Sequence, residues 1–324
     1  MKNIDLSAIE TVYREPLNQL VEKAHLVHRE YFPKPEIQAS SLLSIKTGGC
    51  PENCAYCPQS ARYDTGTERT KLMATDEVVE AAARAKNQGA SRFCMGAAWR
   101  SVKDGPEFDR VIDLVKAVRA LDMEVCCTLG MLNAKQAERL KDAGLYAYNH
   151  NLDTSREFYS KIIQTRTYDD RLQTIDNVRK AGLTVCTGGI LGMGETEEDR
   201  ISFIHQLVSF DPQPESLTVN TLVPFEGTPL EAQKSISPLE VVRVVATLRI
   251  FAPRSKIRLS AGRLGMSDEA QFLCYFAGAN SIFLGDKLLT SPNPEISDDK
   301  KLLGDLGFAL GRADAVDCQR TLDA

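Results

Sequence analysis

The sequence predicts an α/β fold built on eight parallel strands. Two observations carry that prediction. Eight short apolar or β-branched runs alternate with seven amphipathic helical stretches, the pattern of parallel strands joined by right-handed helical crossovers. Reactive or polar side chains also recur near the C-terminal ends of those runs, where parallel barrels gather their active sites. Eight strands are enough to close a barrel. A doubly wound open sheet satisfies the same periodicity.

Taken in order, the first element is a helix over residues 7–32. Leu17, Leu20, Val21, Ala24, Val27 and Tyr31 form one apolar stripe, Pro16 suits the first turn of its main part, and Pro33 and Pro35 end it. Strands are expected at 42–46, 92–96, 124–129, 146–150, 184–190, 216–222, 256–260 and 281–284. Helices are expected near 76–88, 107–120, 134–142, 168–181, 196–209, 238–251 and 267–277. Thr75, Thr167 and Thr196 are the expected helix caps, the last followed by Glu197, Glu198 and Asp199, whose charges favour a helix N-terminus. Gly89, Gly144 and Gly182 mark helix ends. Residues 286–324 read as a surface extension with one short helix near 300–310. The division expected is a helical extension over 1–36, the main α/β domain over 37–285 and a C-terminal extension over 286–324.

Composition bounds the function. The chain has 324 residues and a formal net charge of −5, with no basic block, which argues against nucleic acid as a partner. No run reaches the length of a membrane span. The first residues lack the apolar core of a secretory signal. There are nine cysteines, an odd number that includes the adjacent pair Cys126 and Cys127. A disulfide framework fits this poorly, and reduced thiols in the cytoplasm, free to bind metal, fit it better.

Three of the thiols carry the strongest signal. Cys50, Cys54 and Cys57 have the spacing C-x3-C-x2-C, which brings three thiolates within reach of one metal centre. Structural zinc is nearly always closed by four ligands, and a 4Fe–4S cluster normally takes four thiolates. No fourth Cys or His follows within thirty residues. A cluster held this way keeps one iron open for a substrate or cofactor.

The expected strands carry polar groups where a core should be. Cys94, Cys126, Cys186 and Arg258 each lie near a strand's C-terminal end, and the amides of Asn149, Asn151 and Asn220 join them. A charge between Ile257 and Leu259 is costly unless paired. Any one strand cysteine is more simply a small buried hydrophobe. Three of them with an arginine on one rim could form a second metal site. Cys127 has the opposite parity to Cys126 and reads as packing, as does Cys274 within an apolar helix. Cys318 in the tail carries no assignment. His25, His28 and His205 read as surface or packing residues, whereas His150 stands among the strand-end polar groups. Residues 148–153, Tyr-Asn-His-Asn-Leu-Asp, offer donors and acceptors that could hold ribose hydroxyls or a urea-like group, or simply cap the next helix. The glycine-rich run from Gly188 to Gly194 lets backbone approach a ligand closely, but it lacks the dinucleotide fingerprint.

The Cys50/Cys54/Cys57 motif, with Tyr56 before its last cysteine, resembles that of the radical S-adenosylmethionine enzymes. The chain from about residue 10 to 294 is similar to the biotin synthase family within them. The matching stretches are residues 44–60, 92–99, 148–153, 185–189, 258–263 and 277–281. The resemblance implies a complete (β/α)8 barrel of the TIM type. It implies a 4Fe–4S cluster on Cys50, Cys54 and Cys57, its open iron chelating the amino and carboxyl groups of S-adenosylmethionine, and a 2Fe–2S cluster on Cys94, Cys126, Cys186 and Arg258. Arginine is an unusual iron ligand, because guanidinium is normally protonated. Tyr56, Asn151, Asp153 and Gly192 are implied around S-adenosylmethionine, with Asn151 and Asn220 at the ureido ring of dethiobiotin and Thr290 and Ser291 at its carboxylate.

The implied activity is that of a sulfurtransferase. Reductive cleavage of S-adenosylmethionine gives a 5′-deoxyadenosyl radical, which abstracts hydrogen from dethiobiotin. Sulfur from the 2Fe–2S cluster is then inserted between two carbons to give biotin. Cys50, Cys54, Cys57 and Arg258 are thereby implied as catalytic. The resemblance further implies a homodimer, an electron donor such as flavodoxin or ferredoxin, and the iron–sulfur assembly machinery as partners. Two other readings compete. A different radical enzyme of the same group, of the maturase or methylornithine-forming kind, would keep the first triad without the second set. An iron–sulfur electron carrier or structural zinc protein would explain three cysteines but not eight βα units with a polar mouth.

Overall fold

Eight parallel strands close into a barrel in the computed structural model, which describes residues 4–311. The helices α1 (Leu6–Tyr13) and α2 (Leu17–Tyr31) precede β1 (Glu36–Lys46). Then follow α3 (Thr75–Gln88), β2 (Arg92–Ala97), α4 (Pro106–Arg119), β3 (Glu124–Thr128), α5 (Ala134–Asp142) and β4 (Ala147–Asn149). Two helices, α6 (Arg156–Ile162) and α7 (Tyr168–Lys180), lead to β5 (Thr184–Leu191), and α8 (Glu197–Val208) leads to β6 (Ser216–Thr221). The chain continues through α9 (Pro238–Phe251), β7 (Lys256–Leu259), α10 (Asp268–Phe276), β8 (Ser281–Leu284), α11 (Ile296–Asp305) and β9 (Ala309–Gly311). Each of β2 to β7 pairs with the next, and β1 pairs with both β8 and β2, so the barrel closes without an open edge. The open-sheet alternative is thereby excluded, and seven strand assignments hold to within one residue; β1 starts at Glu36, six residues before the expected 42, and β9 was not anticipated.

Strand alternation divides the core in two. Ile37, Ala39, Phe93, Val125, Cys127, Tyr148, Leu217 and Ile257 face the helices in one continuous apolar layer, the arrangement in which burial of apolar surface stabilises the fold. The opposite parity faces inward. There Cys94 and Cys126 share a small cluster with Ala147, Phe283 and Leu288. Cys127 thus lies in the outer layer and Cys126 inside, as parity required, and Cys274 is buried in the outer core.

The floor of the barrel is ionic. Arg92 is fully buried; its Nε donates to Glu124 Oε2 at 2.8 Å, and its two terminal nitrogens donate to Glu215 at 3.0 and 2.9 Å. Burial alone would raise the Glu215 carboxyl, but Arg92 and then Lys256 hold it down at about 2. This bidentate pair seals the end of the barrel opposite the strand C-termini.

Several expectations need correction. The first helix is two, broken over residues 14–16: Arg14 is the C-cap of α1 and Pro16 precedes α2. Proline disfavours helical backbone at the residue before it, so the chain turns there. Thr75 is the first residue of α3 rather than its cap; the backbone N–H of Ala74 donates instead to Glu77 Oε2 at 3.0 Å. Thr167 and Thr196 do cap α7 and α8. The helix α6 was not anticipated, and the expected short helix near 300–310 is α11, starting at Ile296.

Residues 286–311 are also not a mere surface extension. Arg263 donates to Asp299 at 2.5 and 2.8 Å, Asn293 donates to the carbonyls of Phe283 and Gly285, and β9 pairs with the first residues of β1. The first two ties hold the start of the segment at the barrel mouth, where Leu288 to Ser291 line the cavity, whereas β9 lies at the opposite end, beside the start of β1. Cys318 lies outside the described residues.

Candidate active site

A cavity of about 310 Å3 opens at the C-terminal end of the strands. Of the residues singled out from sequence, Cys50, Cys54, Tyr56, Cys57, Cys94, Cys126, Asn149, His150, Asn151, Asp153, Asn220 and Arg258 all line it, together with Leu288 to Ser291 from the C-terminal segment. Cys186 lies immediately behind, buried, with Sγ 3.3 Å from Asn149 Nδ2 and 3.9 Å from Arg258 Nη1.

The cysteine loop follows β1 and closes on itself. Cys57 N donates to Cys54 O at 3.0 Å, Ser60 N to Cys57 O at 3.2 Å, and Cys50 N to Gln59 O at 2.9 Å. Such turns gather the three thiols on one side of the cavity. Burial pushes the Cys54 thiol up to about 11 and the Cys57 thiol up to about 12. A metal that takes these sulfurs therefore displaces protons from them. Among the described residues no three His, Cys, Asp or Glu side chains are drawn together as tightly as a single metal ion needs. Three soft sulfurs around one cavity suit a thiophilic metal or an iron–sulfur group.

Behind this triad lies the second set, deeper in the barrel. Cys94 and Cys126 stand in register on β2 and β3, and the proximity of their thiols draws Cys94 down and pushes Cys126 up. Arg258 donates to Ser281 Oγ and Ser40 Oγ, each at 3.0 Å, and to Gln38 Oε1 at 3.5 Å, with its guanidinium over the Phe283 ring. All three partners are neutral. The Glu215 carboxylate acts on this cation only through space, and sulfur anions from Cys94, Cys126 and Cys186 would add a nearer counter-charge.

The polar wall is built on the strand β4 and the turn after it. Asp153 has a positive φ of 69°, and its Oδ2 accepts from Tyr56 Oη at 3.0 Å and from Arg171 Nη2. Asn151 Oδ1 accepts from Asn149 Nδ2 and Thr218 Oγ1, each at 3.1 Å, which leaves the Nδ2 donors for a ligand. Asn220 ties β5 to β7, donating to Gly189 O at 2.8 Å and accepting from Ala261 N at 3.1 Å, so half of its amide capacity remains. His150 is held neutral by burial and by Arg171 and Arg166.

Two sequence readings change here. Gly192 does not line the cavity; its N–H donates to Glu195 Oε1 at 2.8 Å. Within the glycine run Ile190 lines the cavity, while Gly188 and Gly189 serve the close packing of the protein's own backbone. A Cβ at Gly189 would stand 2.3 Å from Asp153 O, and one at Gly188 2.0 Å from Thr218 O, so only glycine lets these backbones meet. Sequence reasoning also missed Arg166, Arg171 and Glu52, all of which line the cavity. The two arginines come from the connection before α7 and from α7 itself, whose exposed-looking charge pattern hides their burial.

Known proteins resemble this chain in sequence and in fold. The Radical SAM superfamily matches residues 44–207, and the Biotin and Thiamin Synthesis associated domain matches 218–309. A biotin synthase of Cytophaga hutchinsonii is 58% identical over 91% of this chain and 87% of its own. One of Myxococcus xanthus is 56% identical over 94% and 88%. Among solved structures, a methylornithine synthase superposes with a TM-score of 0.78 at 21% identity, covering 95% of this chain and 94% of that one. An FeFe-hydrogenase maturase from Carboxydothermus hydrogenoformans superposes with a TM-score of 0.80 at 18% identity, covering 96% and 77%. These two share the fold, whereas the sequence relatives share more than half their residues along nearly the whole chain. The chain belongs to the biotin synthase family of radical S-adenosylmethionine enzymes, sulfurtransferases that work with S-adenosylmethionine and a 4Fe–4S cluster.

Proposed function

We propose that this chain converts dethiobiotin to biotin, with Cys50, Cys54 and Cys57 holding the 4Fe–4S cluster and Cys94, Cys126, Cys186 and Arg258 holding a 2Fe–2S cluster that gives up sulfur. The observation that carries this reading is the stacking of two thiol sets, one at the rim and one in the interior, on opposite sides of one cavity. The clusters and S-adenosylmethionine supply electron transfer, radical generation and sulfur; the protein supplies binding, orientation and exclusion of water.

Each part of the wall has a task under this reading. Asp153, fixed by Tyr56 and Arg171, presents a carboxylate oxygen to ribose hydroxyls. Asn151 directs its Nδ2 donors to a ureido carbonyl, and Asn220 adds its remaining donor and acceptor valences. Thr290 and Ser291 offer hydroxyls to the substrate carboxylate from the segment across the mouth. Leu42, Ala97, Phe283, Leu288 and Leu289 line the cavity with apolar surface that keeps water out, and the placing of the substrate carbon nearest the radical, rather than the lining itself, decides which C–H bond is broken. Holding reactants in line in so confined a space is the main rate contribution the barrel makes. An electron donor of the flavodoxin or ferredoxin type, an iron–sulfur assembly system and a homodimeric state complete the reading.

The test is anaerobic turnover with dethiobiotin, S-adenosylmethionine and a reductant, with biotin scored by mass. Iron, sulfide and Mössbauer spectra of the reconstituted protein are measured in parallel. Biotin and two cluster types are expected. A single cluster type in fully loaded protein overturns the assignment of the interior set.

A further inference from the structure

Glu52 is a carboxylate placed inside the cysteine loop, between Cys50 and Cys54. Its side chain is only 3% exposed. A buried carboxylate is costly unless it is paired, so its presence calls for a task. Its contacts supply one. Oε2 accepts from Thr165 Oγ1 and lies 4.0 Å from Arg166 Nε, while Oε1 lies 3.3 Å from Arg100 Nε. Glu52 thus joins the loop after β1 to the loop after β2 and to the connection between α6 and α7.

Its neighbours repeat the second contact. Asn53 Oδ1 accepts from the backbone N–H groups of Gln164 at 3.0 Å and Thr165 at 3.1 Å, Asn53 N donates to Thr165 Oγ1 at 3.1 Å, and Ala55 N donates to Ile162 O at 3.0 Å. The loop is therefore seated on residues 162–166. Only Glu52 brings charge to that seat. The Arg166 side chain is 8% exposed, and its Nε has no hydrogen-bond partner among the described residues. Removing the carboxylate would take away the one ion-pair partner that lies within 4.0 Å of that guanidinium among the described residues, leaving the more distant Asp153 to balance it.

We propose that Glu52 is a positioning residue, whose carboxylate, through Thr165, Arg166 and Arg100, locks the cysteine loop to the α6–α7 connection and holds its three thiols in register for the 4Fe–4S cluster. The proposal rests on the reading that Cys50, Cys54 and Cys57 hold that cluster. A loop already seated loses less conformational freedom when it binds metal than a mobile one. Outer groups that fix metal ligands in this way typically change metal affinity by about 10–100-fold when removed.

The test compares the parent with Glu52→Gln, which keeps the size and one acceptor but removes the charge. Reconstituted holoprotein is challenged anaerobically with a ferrous chelator, and bleaching of each cluster is followed. Amide hydrogen exchange over residues 50–60 is measured on the metal-free protein. Glu52→Gln is expected to release iron from the 4Fe–4S cluster about tenfold faster or more, to leave the interior cluster at the parental rate, and to speed exchange in the loop. Adding Arg166→Met should change little further, because both substitutions break one pair. Iron release at the parental rate overturns the proposal, as does equal acceleration at both clusters, which marks general loosening. If the parent itself takes up no 4Fe–4S cluster, the ligand assignment fails, whereas unchanged loop exchange in the metal-free variant shows separately that Glu52 does not seat the loop.

Discussion

Arg258 Nη1 lies 3.9 Å from Cys186 Sγ, although 72 residues separate the two in sequence. One stands on β7 and the other on β5, with β6 between them, and both point into the barrel. Arg258→Met keeps a similar stem and removes the guanidinium. The three interior thiols remain, so the variant is expected to take up iron there, but with an altered absorption and EPR spectrum of that centre. The rim centre should keep the parental spectrum. An unaltered interior spectrum would remove Arg258 from the ligand set.

Cys94→Ala separates the two thiol sets. It leaves the rim loop untouched and breaks the thiol pair with Cys126. Cleavage of S-adenosylmethionine to methionine and 5′-deoxyadenosine should persist, while biotin formation falls below detection. Biotin made at the parental rate would show that Cys94 has no part in sulfur delivery.

Asp299→Asn tests how the mouth is closed. Asp299 and Arg263 are both buried, and the pair anchors α11 beneath the segment that carries Leu288 to Ser291. Neutralising one member of a buried pair leaves the other uncompensated, a loss of about 3–5 kcal/mol. A lower Tm and faster hydrogen exchange over 285–311 are expected, with KM for dethiobiotin raised more than that for S-adenosylmethionine. Thermal scans and steady-state kinetics check both.

The fold should weaken in mild acid through His28. This side chain is buried in α2, stacks on Phe32, and has no partner for Nδ1 among the described residues. Burial first, and then Arg249, hold its pKa down at about 3. The unfolded chain takes up this proton near pH 6.5 and the folded one only near 3, so stability is full above 6.5 and falls as pH drops between them. The loss amounts to roughly 3–5 kcal/mol. His28→Leu, which cannot titrate, should flatten the Tm profile between pH 6 and 4. A variant as acid-sensitive as the parent would place the lability elsewhere, for instance at Glu215, whose low pKa acts below pH 4.5.

The elements were legible because each is written in local periodicity. The strand starts at Arg92, Glu124, Thr184, Ser216, Lys256 and Ser281 fall where apolar or β-branched runs begin. Boundaries failed where a local rule met another, as at Pro16. The first thiol set was equally legible, since Cys50, Cys54 and Cys57 lie within one turn-rich loop and their spacing alone brings them together.

Other features depend on which strands become neighbours. Cys94, Cys126, Cys186 and Arg258 form one cluster only because the barrel closes and its register places their strands side by side. The glycines at 188 and 189 look like a ligand loop until Thr218 and Asp153 are seen pressing on them. Glu52, Arg166 and Arg171 carried no assignment from sequence, because burial is set by what packs over a residue and not by its neighbours in the chain. Sequence by itself determined the alternation of strands and helices and the open iron–sulfur motif, since both rest on short-range spacing. Tertiary structure alone decided the barrel's closure, the assembly of the interior thiol set and the seating of the cysteine loop, because contacts between residues far apart in the chain exist only once the strands have paired.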